Sequence, residues 1–322
     1  MKKEEVYKIV ENLIRESDDE ETLERFHSNP AEVLFELGTY LLESDDEDDE
    51  EDTDDKEVFA FHLFKEAARL QLPEAMFNVG HCYSHGIGVD KNDVEAVRWF
   101  RKAAKNGDVE ALRCVGYAYN MGYGVAKNSQ KAFKWYKKAA QEGDGRAMLE
   151  VGVKYREGDG VGQDLAEAWN WLNACVDSNH SCQWLAKLYM ADMLYNGQMQ
   201  DDDPDKVTNL YESAYEGCLE AVDNGDDEAM IHLGNFFLEG NELLEIDKNP
   251  SKAVEYYEKA ANEGYAQSMN MLGVCYSNGK GVGKDILKAC WWFEQAAAKG
   301  FTVAKYNLAC NYLGNYILVG SK

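Results

Sequence analysis

Positive charge is scarce in this 322-residue sequence: 33 Lys and Arg stand against 59 Asp and Glu, for a formal net charge of −26. Such a field repels nucleic acid and anionic lipid and favours cationic partners. The deficit is uneven, because residues 1–72 hold 24 Asp and Glu and only 8 Lys and Arg. Long apolar runs are also missing. None approaches the ~20 residues of a membrane-spanning helix. The first residues, MKKEEVYKIVENLIR, contain no uninterrupted apolar region, so they do not read as a signal peptide. The expectation is a cytoplasmic protein without a membrane segment.

Catalytic and ligand-binding motifs are sparse as well. Six histidines are scattered, and no Ser-His-Asp or Cys-His arrangement can be assembled from them. Gly-x-Gly stretches occur at 86–88, 122–124, 158–160 and 279–281. They follow helical patterns rather than strands, and none continues as Gly-x-x-Gly or Gly-Lys-Ser/Thr, so they read as helix–helix turns, not phosphate loops. His81, Cys82 and His85 form a His-Cys-x-x-His run. Histidines at this spacing can chelate zinc, but Cys82 stands where a zinc protease has its Glu. No metal site and no cofactor is expected.

What is present is a repeat. Gly80, Gly116 and Gly152 are 36 residues apart, as are Trp99, Trp135 and Trp171. Ala103-Ala104 and Ala139-Ala140 keep that period, and the pattern resumes with Gly234, Tyr256-Tyr257 and Ala260-Ala261, then Gly273, Trp292-Phe293 and Ala296-Ala297. Residues 108–143 show the unit. Ala111, Leu112, Val115, Ala118 and Tyr119 have helical spacing over 111–120. Gly122 and Gly124 break that helix, and Asn128 or Ser129 can cap a second one carrying Ala132, Phe133, Trp135, Tyr136, Ala139 and Ala140. The alanines let two helices approach, and the Trp and Tyr stripes read as core. One hairpin cannot bury this much apolar surface, so neighbours must stack.

The run Ala-x-x-x-Val-Gly-x-x-Tyr-x-x-Gly-x-Gly-Val, followed by Lys-Ala-x-x-Trp-Tyr-x-Lys-Ala-Ala-x-x-Gly, closely resembles the Sel1-like repeat, a relative of the tetratricopeptide repeat. The resemblance implies an all-α protein: an α/α solenoid of about seven hairpins over residues 30–318, with capping helices in 1–29, a lone C-terminal helix over 303–318 and a tail at 319–322. Some secreted relatives staple each repeat with paired cysteines. Here Ala104, Ala140, Ala261 and Ala297 hold the position of the second cysteine, so the eight cysteines read as free and reduced, with only Cys175 and Cys182 suggestively close.

Along the chain, Val6, Ile9, Val10, Leu13 and Ile14 share one helical face, which reads as a cap over the first repeat. Residues 30–72 form a disguised repeat whose turn is replaced by an acidic run, 44–55, in which ten of twelve residues are Asp or Glu. Such a run repels itself and is expected to be disordered; it could also attract a basic partner. Repeat five, 180–225, is irregular. It has Ala191 in place of the first-helix glycine, and Gly217 in place of the tryptophan should loosen packing or leave a gap. Repeat six has a longer turn, NELLEIDKNP. Ile317, Leu318 and Val319 end the chain on an apolar note, which suggests a homodimer contact through the last helix.

By the same resemblance, ligands are held on the concave side, lined by first helices. The tetratricopeptide pattern carried onto this chain marks Glu74, Phe77, His81 and His85 in the second repeat, Arg113, Tyr117 and Asn120 in the third, and Arg146, Leu149 and Arg156 in the fourth. These mix aromatics, arginines and histidines, as interface anchors do. The expected function is a non-enzymatic scaffold or adaptor for a partner protein or peptide, with a cationic partner favoured. An inhibitor or immunity protein that neutralises a basic toxin or nucleic-acid enzyme is one alternative. A hydrolase of the β-lactamase-like kind described for some relatives is the other.

Overall fold

The computed structural model describes residues 1–43 and 53–319, and among these there are 17 helices and no strand beyond one isolated bridge between Asn241 and Ile246. The chain forms two compact units, residues 1–174 and 175–322.

The first unit opens with α1 (Lys3–Glu16) and α2 (Glu20–Ser28), followed by α3 (Pro30–Glu43) and α4 (Thr53–Arg69), α5 (Pro73–His85) and α6 (Asp93–Lys105), α7 (Val109–Met121) and α8 (Ser129–Gln141), α9 (Gly145–Glu157), and α10 (Leu165–Asp177), which carries the boundary to the second unit. Helices pair as α3–α4, α5–α6 and α7–α8, and each pair packs on the next in chain order. This is the hairpin stacking that the repeat requires. The caps are local: Asn92, Asp108, Asn128 and Asp144 each accept a hydrogen bond from the backbone N–H three residues on, at 3.1, 2.6, 2.8 and 2.6 Å. That satisfies donors a helix start leaves open. At the other end Gly86, Gly122 and Gly158 take left-handed backbone angles.

Helix α1 lies against α2 and α4 and buries Val6, Val10 and Ile14. The five-residue apolar face expected there is narrower: Ile9 and Leu13 are 40% and 44% exposed. α2 and α4 cover one side of α1, and these two side chains fall outside the covered side. Of the acidic run, residues 44–52 lie outside the described residues, and from Thr53 the chain is already helical in α4, so the run does not stay irregular to residue 55.

The tryptophan stripe is displaced by one residue from the core. Trp99, Trp135, Trp171 and Trp292 are half-buried, while the residue after each is buried: Phe100, Tyr136, Leu172 and Phe293. Those buried side chains meet the first-helix glycines, because a Cβ on Gly80, Gly116, Gly152 or Gly273 would lie 2.7, 2.8, 2.8 or 2.5 Å from Phe100, Tyr136, Leu172 or Phe293. The disguised first repeat uses the same clasp, Gly38 against Phe64.

The second unit contains α11 (Gln183–Tyr195) and α12 (Lys206–Asp223), α13 (Asp227–Glu239) and α14 (Pro250–Asn262), α15 (Ala266–Asn278) and α16 (Ile286–Ala298), and α17 (Thr302–Val319), which packs on α15 and α16. Repeat five is an ordinary hairpin in outline, since α11 packs along α12. The gap expected at Gly217 is filled. Trp184 of α11 is 3% exposed, and a Cβ on Gly217 would lie 2.7 Å from its Cβ. The ring has moved from the second helix to the first. Cys175 and Cys182 form no disulfide, and their sulfurs are 3.6 Å apart. The side chains of Ile317, Leu318 and Val319 lie outside the described residues.

Candidate functional site

The sequence-derived site falls on α5, α7 and α9, the successive first helices of one unit. On α5, Glu74, His81 and His85 are exposed and Phe77 is half-buried. Phe77 leans on Phe100 with ring centroids 5.5 Å apart and lies 6.5 Å from the His81 ring. The two imidazoles stack, 4.1 Å apart at 28°. His85 Nδ1 is 2.8 Å from Ser84 Oγ and 3.1 Å from the His81 carbonyl oxygen. Cys82 does not join them: it is 1% exposed, and burial, with Glu57 adding to it, pushes its thiol up to about 12. Burial and then His85 hold His81 below the usual imidazole range, with Glu110 pulling the other way. His81 also lines a cavity of about 160 Å³ with Thr39, Leu42 and Asn78.

On α7, Tyr117 is 49% exposed, with Tyr123 beside it at 5.9 Å. Arg113 is committed to a bridge: its Nε donates to Asp144 Oδ2 at 3.1 Å and its Nη2 to Glu110 Oε1 at 2.7 Å. Asn120 is tied down from α9, where Lys154 Nζ donates to Asn120 Oδ1 and to Asp159 Oδ2, both at 2.8 Å. Lys154 is only 4% exposed. Burial works upward on the Asp159 carboxyl, but the bonds from Lys154 and Ser129 prevail and hold it below its ordinary value. Lys154 was not marked by the sequence pattern. Its one signal is a charged residue inside an otherwise apolar helical face.

On α9, Arg146 and Arg156 are half-buried, and Arg146 Nε lies 3.9 Å from Glu150 Oε1. Leu149 departs from expectation. It is 2% exposed and belongs to the core. An apolar side chain at the edge of a packed face gains about 2 kcal/mol by folding under it, and the carried-over position does not allow for that. Of the marked residues, His81, His85, Tyr117 and Glu74 are exposed, and Phe77, Arg113, Asn120, Arg146 and Arg156 are half-buried.

A Ser-x-x-Lys spacing, the signature of serine β-lactamases, does occur in the sequence, at Ser277-Asn278-Gly279-Lys280. It spans the end of α15. Ser277 Oγ donates to Asn311 Oδ1 at 2.8 Å, and the Lys280 N–H closes the helix end on the Cys275 carbonyl at 3.0 Å. The spacing thus serves a helix terminus. No helix among the described residues is long and apolar enough to cross a membrane.

A family model described as Sel1 repeat matches residues 31–72, 73–108, 109–144, 145–174, 227–265 and 266–301. It leaves out the irregular fifth hairpin. The chain is 32% identical over 112 residues to DAP3-binding cell death enhancer 1 of Rattus norvegicus, covering 35% of this chain and 20% of that protein. It is 31% identical over 114 residues to Chitin synthase regulatory factor 3 of Schizosaccharomyces pombe, covering 32% of this chain and 12% of that protein. The chain thus matches a fifth or less of the length of these curated relatives. The crystal structure of a Sel1 repeat protein from Oxalobacter formigenes is 26% identical, with a TM-score of 0.51, over 75% of this chain and 92% of that one. With six matched segments that together cover more than half of the sequence, and glycine-clasped hairpins piled in chain order, the chain belongs to the Sel1 repeat family.

Proposed function

We propose that this protein is a non-catalytic scaffold that holds a partner protein or peptide on the first-helix face of its N-terminal unit. Sel1 repeat proteins generally mediate protein–protein interaction. The observation that carries the placement is the exposure of Tyr117, His81 and His85 on consecutive first helices, while the second helices spend their rings on packing. Aromatic side chains presented on rigid helices are efficient anchors, because little rotamer freedom remains to be lost on binding. A cationic partner is favoured by the net charge of −26 and by the exposed Glu74 on the same helix as the two histidines.

Affinity capture from the native cell tests this reading, comparing the wild-type chain with a Tyr117→Ala/His81→Ala variant of unchanged circular dichroism. Phe77 is left intact because it also packs on Phe100. The double variant should lose the captured partner, and about 0.5 M salt should release it from the wild type, since exposed charges are screened at that strength. A partner retained equally by both chains rejects the placement.

A further inference from the structure

The turn of repeat six departs from the others, and a cavity lies beside it. In four turns the second glycine seats against the first or second turn of the preceding second helix: a Cβ on Gly88, Gly124, Gly160 or Gly281 would come within 2.1, 2.0, 2.3 or 2.1 Å of the backbone oxygen of Glu57, Asp93, Ser129 or Pro250. Residues 240–249 contain no second glycine. Their turn closes on itself instead. The N–H groups of Asn241 and Ile246 donate to each other's carbonyl oxygens at 2.9 Å, and the Leu244 N–H donates to Asn241 Oδ1 at 3.1 Å. The facing helix α12 has 18 residues, against 17 in α4 and 13 in α6, α8 and α14. Counted from the C-terminal ends of these helices, Tyr211 of α12 holds the place of Asp93, Ser129 and Pro250.

Next to that place lies a cavity of about 400 Å³, walled by Glu212, Tyr215 and Glu216 of α12 and by residues 243–246 of the turn. Its walls carry three carboxylates, those of Glu212, Glu216 and Glu245, and no basic side chain. Among the described residues none of the three is ion-paired. The rest of the lining is apolar or aromatic. Tyr215 is half-buried, held edge-on to Phe236 at 5.3 Å, and Leu243 at the rim is 40% exposed. Glu212 and Glu216 are one helical turn apart and so face the same way.

We propose that this cleft receives an arginine side chain of a partner polypeptide, with its guanidinium between Glu212 and Glu216 and its stem along Tyr215 and Leu244. The occupant follows from charge complementarity. A planar fork of donors can serve two carboxylates at once, which a lysine point charge does less well. The methylene stem of arginine suits an apolar wall, where it keeps its charged head at the rim. This site lies in the C-terminal unit and goes beyond the face proposed above.

The test is fluorescence anisotropy with the full chain and a labelled hexapeptide of alternating leucine and arginine, at about 0.15 M salt. Saturable binding is expected, and Glu212→Gln/Glu216→Gln should weaken it at least about tenfold. A control, Glu220→Gln/Glu263→Gln, removes the same charge outside the cavity and should change it less than about twofold. Tyr117→Ala/His81→Ala should leave it unchanged, so failure here and failure of the N-terminal face are distinguishable. Absence of saturable binding, equal losses in the two glutamine variants, or equal binding of the lysine-for-arginine peptide overturns the proposal.

Discussion

The ring of Tyr136 lies on Gly116 so closely that a Cβ at Gly116 would sit 2.8 Å from Tyr136 Cδ1 and 2.9 Å from Cε1. This contact sets the distance between the two helices of the hairpin, and with the alanines Ala132 and Ala139 it lets the second helix bury a tyrosine to 1% exposure. In an isolated helix Gly→Ala gains about 1 kcal/mol. Here the added Cβ would force the buried ring to shift, and overpacking costs about 1–3 kcal/mol. Gly116→Ala should therefore lower the urea midpoint. Gly162→Ala, with nothing within 4 Å of the added carbon, should stay within about 0.5 kcal/mol of wild type.

Asp144 serves two helices at once. Its Oδ1 accepts from the Ala147 N–H and caps α9, while its Oδ2 accepts from Arg113 of α7. Asp144→Asn keeps an acceptor for the cap and loses the ion pair. Asp144→Ala loses both and should cost about 1–2 kcal/mol. Denaturation of the two variants should give that order, alanine below asparagine. Equal losses would show that the cap contributes nothing measurable, and no loss in Asp144→Asn would show the same of Arg113.

The hairpins were legible because their signal is periodic. Gly80, Gly116 and Gly152, 36 residues apart, marked three successive clasps. Which half of an apolar face is covered depends on the neighbour, so Ile9 and Leu13 could not be told from Val6 and Val10. The same holds for Leu149 in the site: spacing put it beside Arg146, and packing drew it under. At Gly217 the lost ring was visible, but its replacement by Trp184 crosses between helices and has no sequence period. The cleft beside Glu212 was hidden for the same reason, although the long turn that makes it was plain.

Thiol reactivity should follow burial. Cys82 and Cys218 are pushed up to about 12, and Cys114 and Cys275 to about 11, with desolvation the leading cause in each. Only a minute share of these is thiolate at pH 8, and the thiolate is the reactive form. Cys310 is exposed. Brief iodoacetamide treatment of the native chain at pH 8 should modify Cys310 first, with the others following only in urea. Peptide mass spectrometry reads the order directly, and early loss of Cys82 would contradict its place in the core.

His81 should make stability depend on pH in a stated direction. Burial and the stacked His85 lower its pKa in the folded chain, while Glu110 of α7 opposes them. The unfolded chain therefore binds this proton more readily, with a pKa of about 6.5. Stability from this group is fully present above about pH 6.5 and is lost as the pH falls from there through the folded value. His85→Ala removes the like charge and should raise the His81 midpoint, whereas Glu110→Gln should lower it further. Histidine NMR titration between about pH 5 and 8 measures both shifts. If the midpoint does not move in His85→Ala, the stacked pair is not electrically coupled. A normal His81 midpoint in the wild type would instead mean that the α5 face is as open as bulk solvent, and the cavity it shares with Asn78 would not form in solution.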